Sequence, residues 1–253
     1  MFSVEYLHVI RRYEIQRIVR HFPPGARVLE IGGGTGYQAS LSAEQGFDVV
    51  SIDVATSNYR EDRVFPVTVY DGRVFPFQAG TFDIVFSSNA LEHIVELPQI
   101  HRESRRVLKP GGSCVHVMPT AVWRFWTSVT HYVELLQRWA ALSPRLLPQR
   151  FSRSGLMESL EVFKQMGRLA KDYALPPRHG ETGNVLTELW TFSRRHWVKH
   201  FRLARFTLDC VEPMGLFYTG NMVLGRRWAL PSRERVAAFL GCACILYKVR
   251  PTA

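Results

Sequence analysis

Cysteine is scarce in this 253-residue sequence: there are four, at 114, 210, 242 and 244, and no CxxC pair. Each lies in an apolar run that reads as a strand, so buried thiols are expected and a disulfide scaffold is excluded. Long uncharged apolar runs are missing too. The most aromatic stretch, Trp123 to Leu142, contains Arg124, His131, Glu134 and Arg138, which are costly at a bilayer centre. The amino terminus carries Glu5 early and Arg11, Arg12 and Arg17 soon after, unlike a signal peptide. No repeat or low-complexity tract occurs, and a reducing, cytoplasmic setting is the expectation. What remains is 46% hydrophobic and 21% charged, the composition of a folded domain and not of a disordered chain. At this length one α/β domain can bury a substantial core without metal or disulfide.

The order of elements follows from periodicity. Residues 4–21 place Val4, Leu7, Ile10, Ile15 and Ile18 at helical spacing before Pro23-Pro24-Gly25 stops the helix. Ala26 to Ile31 is a short apolar run entering a glycine cluster, which reads as a buried parallel strand. A helix over 37–45 and strands over 47–53, 64–69 and 82–87 continue a βαβ rhythm. A helix over 96–107 ends at Lys109-Pro110-Gly111-Gly112, and Ser113 to Met118 makes a fifth strand. The rhythm then breaks for about seventy helical residues, interrupted at Ser143-Pro144 and Leu175-Pro176-Pro177. A helix near 191–204 and strands over 206–212 and 242–249 return the chain to the sheet.

Gly32-Gly33-Gly34-Thr35-Gly36 follows the first strand and opens a helix, where glycine permits a sharp turn and close approach to a ligand. Gly34 to Ala39 also satisfies a G-x-G-x-x-A dinucleotide fingerprint, with Asp53 available to a nicotinamide cofactor's ribose. A purely structural glycine turn is the third reading of the loop.

The wider run of motifs is more specific. Val28-Leu29-Glu30-Ile31 before the glycine loop, Asp53 closing the second strand, and Asp71-Gly72 ahead of Phe75-Pro76-Phe77 occur in order. Thr81-Phe82-Asp83-Ile84-Val85 then leads to Ser87-Ser88-Asn89-Ala90-Leu91-Glu92-His93, and Arg105 to Gly112 precedes strand five. Together they resemble class I S-adenosylmethionine-dependent methyltransferases, in the small-molecule, methyltransferase type 11-like branch. The resemblance is strong over 25–118 and only in outline over 190–250. It implies an α/β, Rossmann-like doubly wound fold: a largely parallel seven-stranded sheet with a helical cap inserted after strand five. The chain is read as one domain, with its core at 1–118 and 190–253 and its cap at 119–189. It also implies S-adenosylmethionine as cofactor. Gly32, Gly33, Gly34 and Gly36 would meet its methionine part with Glu30 beneath, Asp53 and Val54 the ribose, Asp71 and Gly72 the adenine. Ser88 and Asn89 would line the pocket after strand four. A carboxylate suits a ribose because it accepts two hydrogen bonds from a vicinal diol.

Three residues are candidates for acid–base work. His93 occupies a place the family often gives to a pocket histidine, with helix capping as the structural alternative. His179 and Glu181, two apart in Pro176-Pro177-Arg178-His179-Gly180-Glu181, suit a base and its orienting acid, or equally a surface turn. No His/Cys/Asp/Glu spacing along the chain marks a metal site, and none is expected; His196 and His200 lack the acid of a zincin helix.

The net charge of +10 is unevenly placed. Residues 119–205 hold 14 Lys/Arg against 6 Asp/Glu, whereas residues 1–118 hold 12 against 13. The excess therefore sits in the cap, which implies an anionic small-molecule or glycan acceptor. Val122, Phe125, Trp126, Val129, Val133, Leu136 and Ala140 share a helical face widened by Trp123 and Trp139, read first as a lid packed on its own domain. The variant is peripheral membrane contact through 122–142 at the inner membrane surface, with Arg145, Arg150 and Arg153 beside anionic head groups. Arg194, Arg195, Lys199, Arg202 and Arg205 read as a solvated helix face. The expected chemistry is O-methylation of a hydroxyl by in-line transfer with a histidine base. A lipid-linked acceptor is the alternative. RNA is disfavoured because Ser87-Ser88-Asn89-Ala90 stands where a base-amino methylase would carry an Asn/Asp-Pro-Pro-Tyr motif, and a non-enzymatic cofactor-binding scaffold comes last.

Overall fold

A computed structural model of the chain describes residues 3–146, 153–222 and 225–252. Arg150 and the side chain of Arg153 lie outside the described residues. Strands β1 (Arg27–Ile31), β2 (Asp48–Val54), β3 (Val67–Tyr70), β4 (Phe82–Ser88), β5 (Leu108–Pro119), β6 (Phe206–Pro213) and β7 (Cys244–Pro251) form one sheet in the order β3-β2-β1-β4-β5-β7-β6. Pairings from β3 through β5 are parallel, and β7 runs antiparallel to both neighbours. The chain winds one way from β1 and the other way from β4, so a crevice opens at the carboxyl ends of β1 and β4, the usual ligand position in such sheets.

Alternation along the strands supplies two cores. Val28, Ile84, Phe86, Val115 and Val117 pack with Ile10, Ile15 and Ile18 of α1 (Val4–Ile18). Leu29, Ile31, Val85 and Cys114 face the other way, toward Ile100 and Val107 of α3 (Leu97–Val107) and Trp197 and Phe201 of α7 (Arg194–Leu203). Apolar residues on both faces explain why these strands read as continuous hydrophobic runs. Helix α2 (Tyr37–Ala43) starts at Gly36 in the left-handed region, φ 74°.

The seven strands and the cap match expectation, with shifted ends. Strand β5 begins at Leu108, ahead of the Pro110-Gly111-Gly112 stretch that it takes in, with an irregular register opposite Phe82 to Ile84. Helix α8 (Leu230–Leu240) was not expected; it leaves Phe239 88% exposed and has weak apolar periodicity, so the 3.6-residue signal is missing.

The cap holds α4 (Ala121–Leu142), α5 (Arg153–Asp172) and α6 (Val185–Thr191). The expected lid face packs only in part: Trp123 is buried and Trp126 meets Phe217, whereas Phe125, Val129 and Leu136 are exposed. α4 buries Trp123, Arg124, Thr127 and His131, while Phe125, Val129, Tyr132 and Leu136 stay exposed. The inward face includes Arg124 because it finds a buried acid: its Nε lies 2.7 Å from Glu188 Oε2, with side-chain exposures of 2% and 0%.

Candidate active site

The glycine loop leaves β1 as a tight turn. Gly32 and Gly33 both donate to the Ile52 carbonyl (2.9 and 3.1 Å), and Gly36 donates to Gly33 (2.7 Å). At Gly33 an added Cβ would lie 1.9 Å from Ser51 Oγ, so only glycine fits against β2. Behind the loop Glu30 is buried and accepts from Ser51 Oγ at 2.6 Å. Burial pushes its carboxyl up to about 7, against the Ser51 bond and with help from the charge of Asp53. At the end of β2, Asp53 accepts from the backbone N–H of Gly34 (2.9 Å) and of Val54 (2.8 Å), one on each oxygen. Each oxygen keeps lone-pair capacity for a further donor.

These groups border a cavity of about 550 Å³. Its lining includes Glu30, Gly32, Gly33, Gly34, Asp53 and Val54 from the ends of β1 and β2, and Ser88, Asn89, His93, His179 and Glu181. Three expected residues stand apart from the lining. Gly36 opens α2 and packs on Phe65, whose Cβ an added methyl would approach to 2.7 Å. Asp71 spends Oδ1 on the N–H groups of Arg73 and Val74, both 2.8 Å, as a turn cap, and the bonds hold its carboxyl below the usual range. Gly72 supplies the positive φ of that turn. Tyr70, one residue earlier, reaches the lining instead.

Helix α1 contributes a wall that sequence reading missed. Leu7, His8 and Arg11 line the cavity, with His8 stacked on Tyr37 at 3.9 Å. Turned so that its amide oxygen faces α1, Asn89 accepts from Arg11 Nη1 at 2.8 Å and Nη2 at 3.1 Å. The signal was present as polar residues breaking the apolar face of a terminal helix.

The pairing expected between His179 and Glu181 is not formed. No hydrogen bond or ion pair joins their side chains; the acid near His179 is Glu92, whose Oε1 lies 4.0 Å from Nε2. The reason is the loop's anchor: Glu188 Oε1 accepts from the backbone N–H of His179 (2.6 Å) and Gly180 (2.7 Å), which turns the imidazole onto Trp123 and His93. Burial drives His179 down to about 3, and the positive charges of His93 and Arg124 add to the effect. His93 is more open; burial lowers it too, while Glu181 and Glu188 pull it up. Glu92 is fully buried, and both its oxygens lack a hydrogen-bond partner among the described residues. Burial pushes it up to about 8. Donor atoms of Glu92, His93 and His179 come within 4.8 Å of one another, a grouping that chain spacing did not show because two distant segments supply it.

Comparison with known proteins is decisive here. A family described as methyltransferase domain matches residues 6–163, more than half of the chain. The chain belongs to that family. An uncharacterized methyltransferase of Mycobacterium sp. (strain KMS) is 31% identical to this chain over 123 residues, 44% of this chain and 47% of the relative. A demethylmenaquinone methyltransferase of Corynebacterium urealyticum is 32% identical over 157 residues, 59% of this chain and 66% of the relative. The chain thus spans about half the length of the mycobacterial relative it matches. Its fold is that of the S-adenosylmethionine-dependent methyltransferase of Mesorhizobium loti, with a TM-score of 0.53 at 14% identity over 94% of this chain and 97% of that one.

The cavity suits S-adenosylmethionine as donor. Gln38 Nε2 and His8 Nε2, both in its lining, are buried with no hydrogen-bond partner among the described residues, so hydrogen-bonding capacity is in place for a polar ligand. An acceptor-only carboxylate, Asp53, faces the same space.

Proposed function

We propose that the protein is a cytoplasmic enzyme that methylates a hydroxyl oxygen of a sugar or related small molecule. The observation that carries this is one cavity lined both by the glycine loop and Asp53 and by His93, His179 and Glu181. S-adenosylmethionine would supply a methyl group on a positively charged sulfur, already activated for displacement. The Gly32 to Gly34 backbone would cradle its methionine part, and the Asp53 carboxylate would accept from the ribose hydroxyls. His93 is assigned the acceptor's hydroxyl proton, because a group held near 3, as His179 is, takes up protons poorly at neutral pH. His179 would hold the His93 ring by edge contact at 4.8 Å between centroids.

Four of the cap's cations pair with acids, in Arg138–Glu134, Arg145–Glu158, Lys164–Glu161 and Arg124–Glu188. None of them lines the cavity.

The test is turnover with a panel of sugars, sugar nucleotides and phenols, with the product's new methyl located by NMR. Methyl on oxygen, and a kcat lowered about 10²-fold by His93→Ala with cofactor affinity kept, would support the reading. Methyl on carbon or nitrogen, unchanged turnover in the variant, or loss of activity in EDTA would overturn it.

A second reading, a lipid-linked acceptor, is favoured by the exposed Phe125, Val129, Tyr132 and Leu136 on α4 and by Leu156, Leu160 and Phe163 on α5. No helix among the described residues is long and apolar enough to cross a membrane. Co-sedimentation with anionic vesicles, lost on Phe125→Ser with Leu136→Ser, would select it.

A further inference from the structure

A second cavity, about 400 Å³, lies between α3 and α7 and shares no residue with the methyltransferase cavity. Its walls carry His101, Arg102 and Arg105 of α3, His200 of α7, and Arg205 in the turn that follows. Positions 98, 101, 102 and 105 fall on one helical face, so the guanidiniums of α3 converge on the groove.

No carboxylate lines it. Arg105 donates to the Ala204 carbonyl and Arg102 to Gln99 Oε1 at 2.6 and 3.2 Å, both neutral acceptors. Burial lowers Arg105, and the charges nearest it, Arg205 and Arg102, lower it further. In the cap, by contrast, Arg124, Arg138 and Arg145 face Glu188, Glu134 and Glu158. His101 closes the groove's inner wall: its Nε2 meets His200 Nε2 at 2.8 Å, and its Nδ1 is buried without a partner.

Arg205 adds an independent observation. Its φ is +60°, in the position after a helix where glycine is the usual residue. The chain holds the turn through its carbonyl, which accepts from Thr252 N at 3.0 Å and Thr252 Oγ1 at 2.9 Å. A strained backbone thus presents a guanidinium where glycine would be easier to accommodate.

We propose that this groove binds a phosphate-class oxyanion through Arg102, Arg105 and Arg205, at a site separate from methyl transfer. Guanidinium forks match phosphate oxygens two at a time, and an uncompensated trio in a concavity is the arrangement an oxyanion completes. The volume accommodates a phosphorylated small molecule as well as the bare ion.

The test is calorimetric titration of pyrophosphate into the full protein, with chloride at matched ionic strength as blank. Saturable binding of one equivalent is expected, persisting when S-adenosylhomocysteine is present in excess. Arg205→Gly relieves the backbone strain and so keeps the fold, yet should weaken binding at least about tenfold, the usual worth of one charged hydrogen-bonding partner. Arg102→Gln should do the same. Vesicles of phosphatidylglycerol form a second arm: binding to them without binding of pyrophosphate, and lost in Arg205→Gly, would identify a lipid head group as the phosphate source. No response above chloride in either arm, wild-type binding in both variants, or displacement by S-adenosylhomocysteine would overturn the proposal.

Discussion

Arg124→Ala should release the loop that carries His179 and Glu181. In the intact protein Arg124 Nε sits 2.7 Å from Glu188 Oε2, and its Nη2 donates to the Pro177 carbonyl at 2.7 Å. Glu188 uses its other oxygen to hold the N–H groups of His179 and Gly180. Both ionic side chains are essentially inaccessible, so removing the cation leaves a buried carboxylate with two N–H donors and no counter-charge. Removing one member of such a pair costs about 3–5 kcal/mol. At about 2–4 °C per kcal/mol for a domain of this size, the melting temperature should fall by about 6–20 °C. Arg124→Met combined with Glu188→Leu should lose less than the single change, because no charge is stranded. Calorimetric melts with parallel turnover measurements are the assay, and kcat should fall with the loop. A shift under about 2 °C with unchanged kcat would refute the account of the loop's anchor.

Two further outcomes follow from the cavity's walls. Glu92, pushed up to about 8, holds its proton in the folded protein at pH values where the unfolded chain, near 4.3, has lost it. That preference stabilises the fold in acid and is lost as pH rises from about 4 through 8. Glu92→Gln should therefore gain melting temperature over wild type progressively between pH 5 and 8, and a pH-independent difference would count against the shift. Gly33→Ala should cost about 1–3 kcal/mol by forcing its methyl into Ser51 Oγ and breaking the Ser51–Glu30 bond; denaturant melts unchanged from wild type would show that the loop has room to spare.

Strand order and the glycine turn were legible because they depend on short-range chemistry. Apolar runs such as Val28 to Ile31 have one way to be buried on both faces, and Gly32 to Gly36 have one economical use after a strand. The cap was less legible, since its packing is decided by partners far along the chain. The apolar periodicity of α4 points to Phe125, Val129 and Leu136 as the inner face, yet Arg124 turns inward because Glu188, sixty-four positions later, neutralises it. The same ion pair fixes the His179 loop and separates His179 from Glu181. Glu92 was hidden for a similar reason: an acid in a short turn looks solvated until the Arg178 to Glu181 segment folds over it, with Glu181 N donating to the Glu92 carbonyl at 3.3 Å. Local sequence carries the donor side of the site; the rim depends on tertiary contacts.

The central claim is that the cavity at the carboxyl ends of β1 and β2 binds S-adenosylmethionine through Asp53. Titrating S-adenosylmethionine calorimetrically into wild type and Asp53→Ala, with melting curves to confirm that the variant is folded, tests it directly. Wild type should bind one equivalent, and the variant should bind at least about 10²-fold more weakly, the worth of two hydrogen bonds to a charged acceptor at about 1.5–3 kcal/mol each. No binding to wild type, or equal affinity in a folded Asp53→Ala protein, would contradict the account.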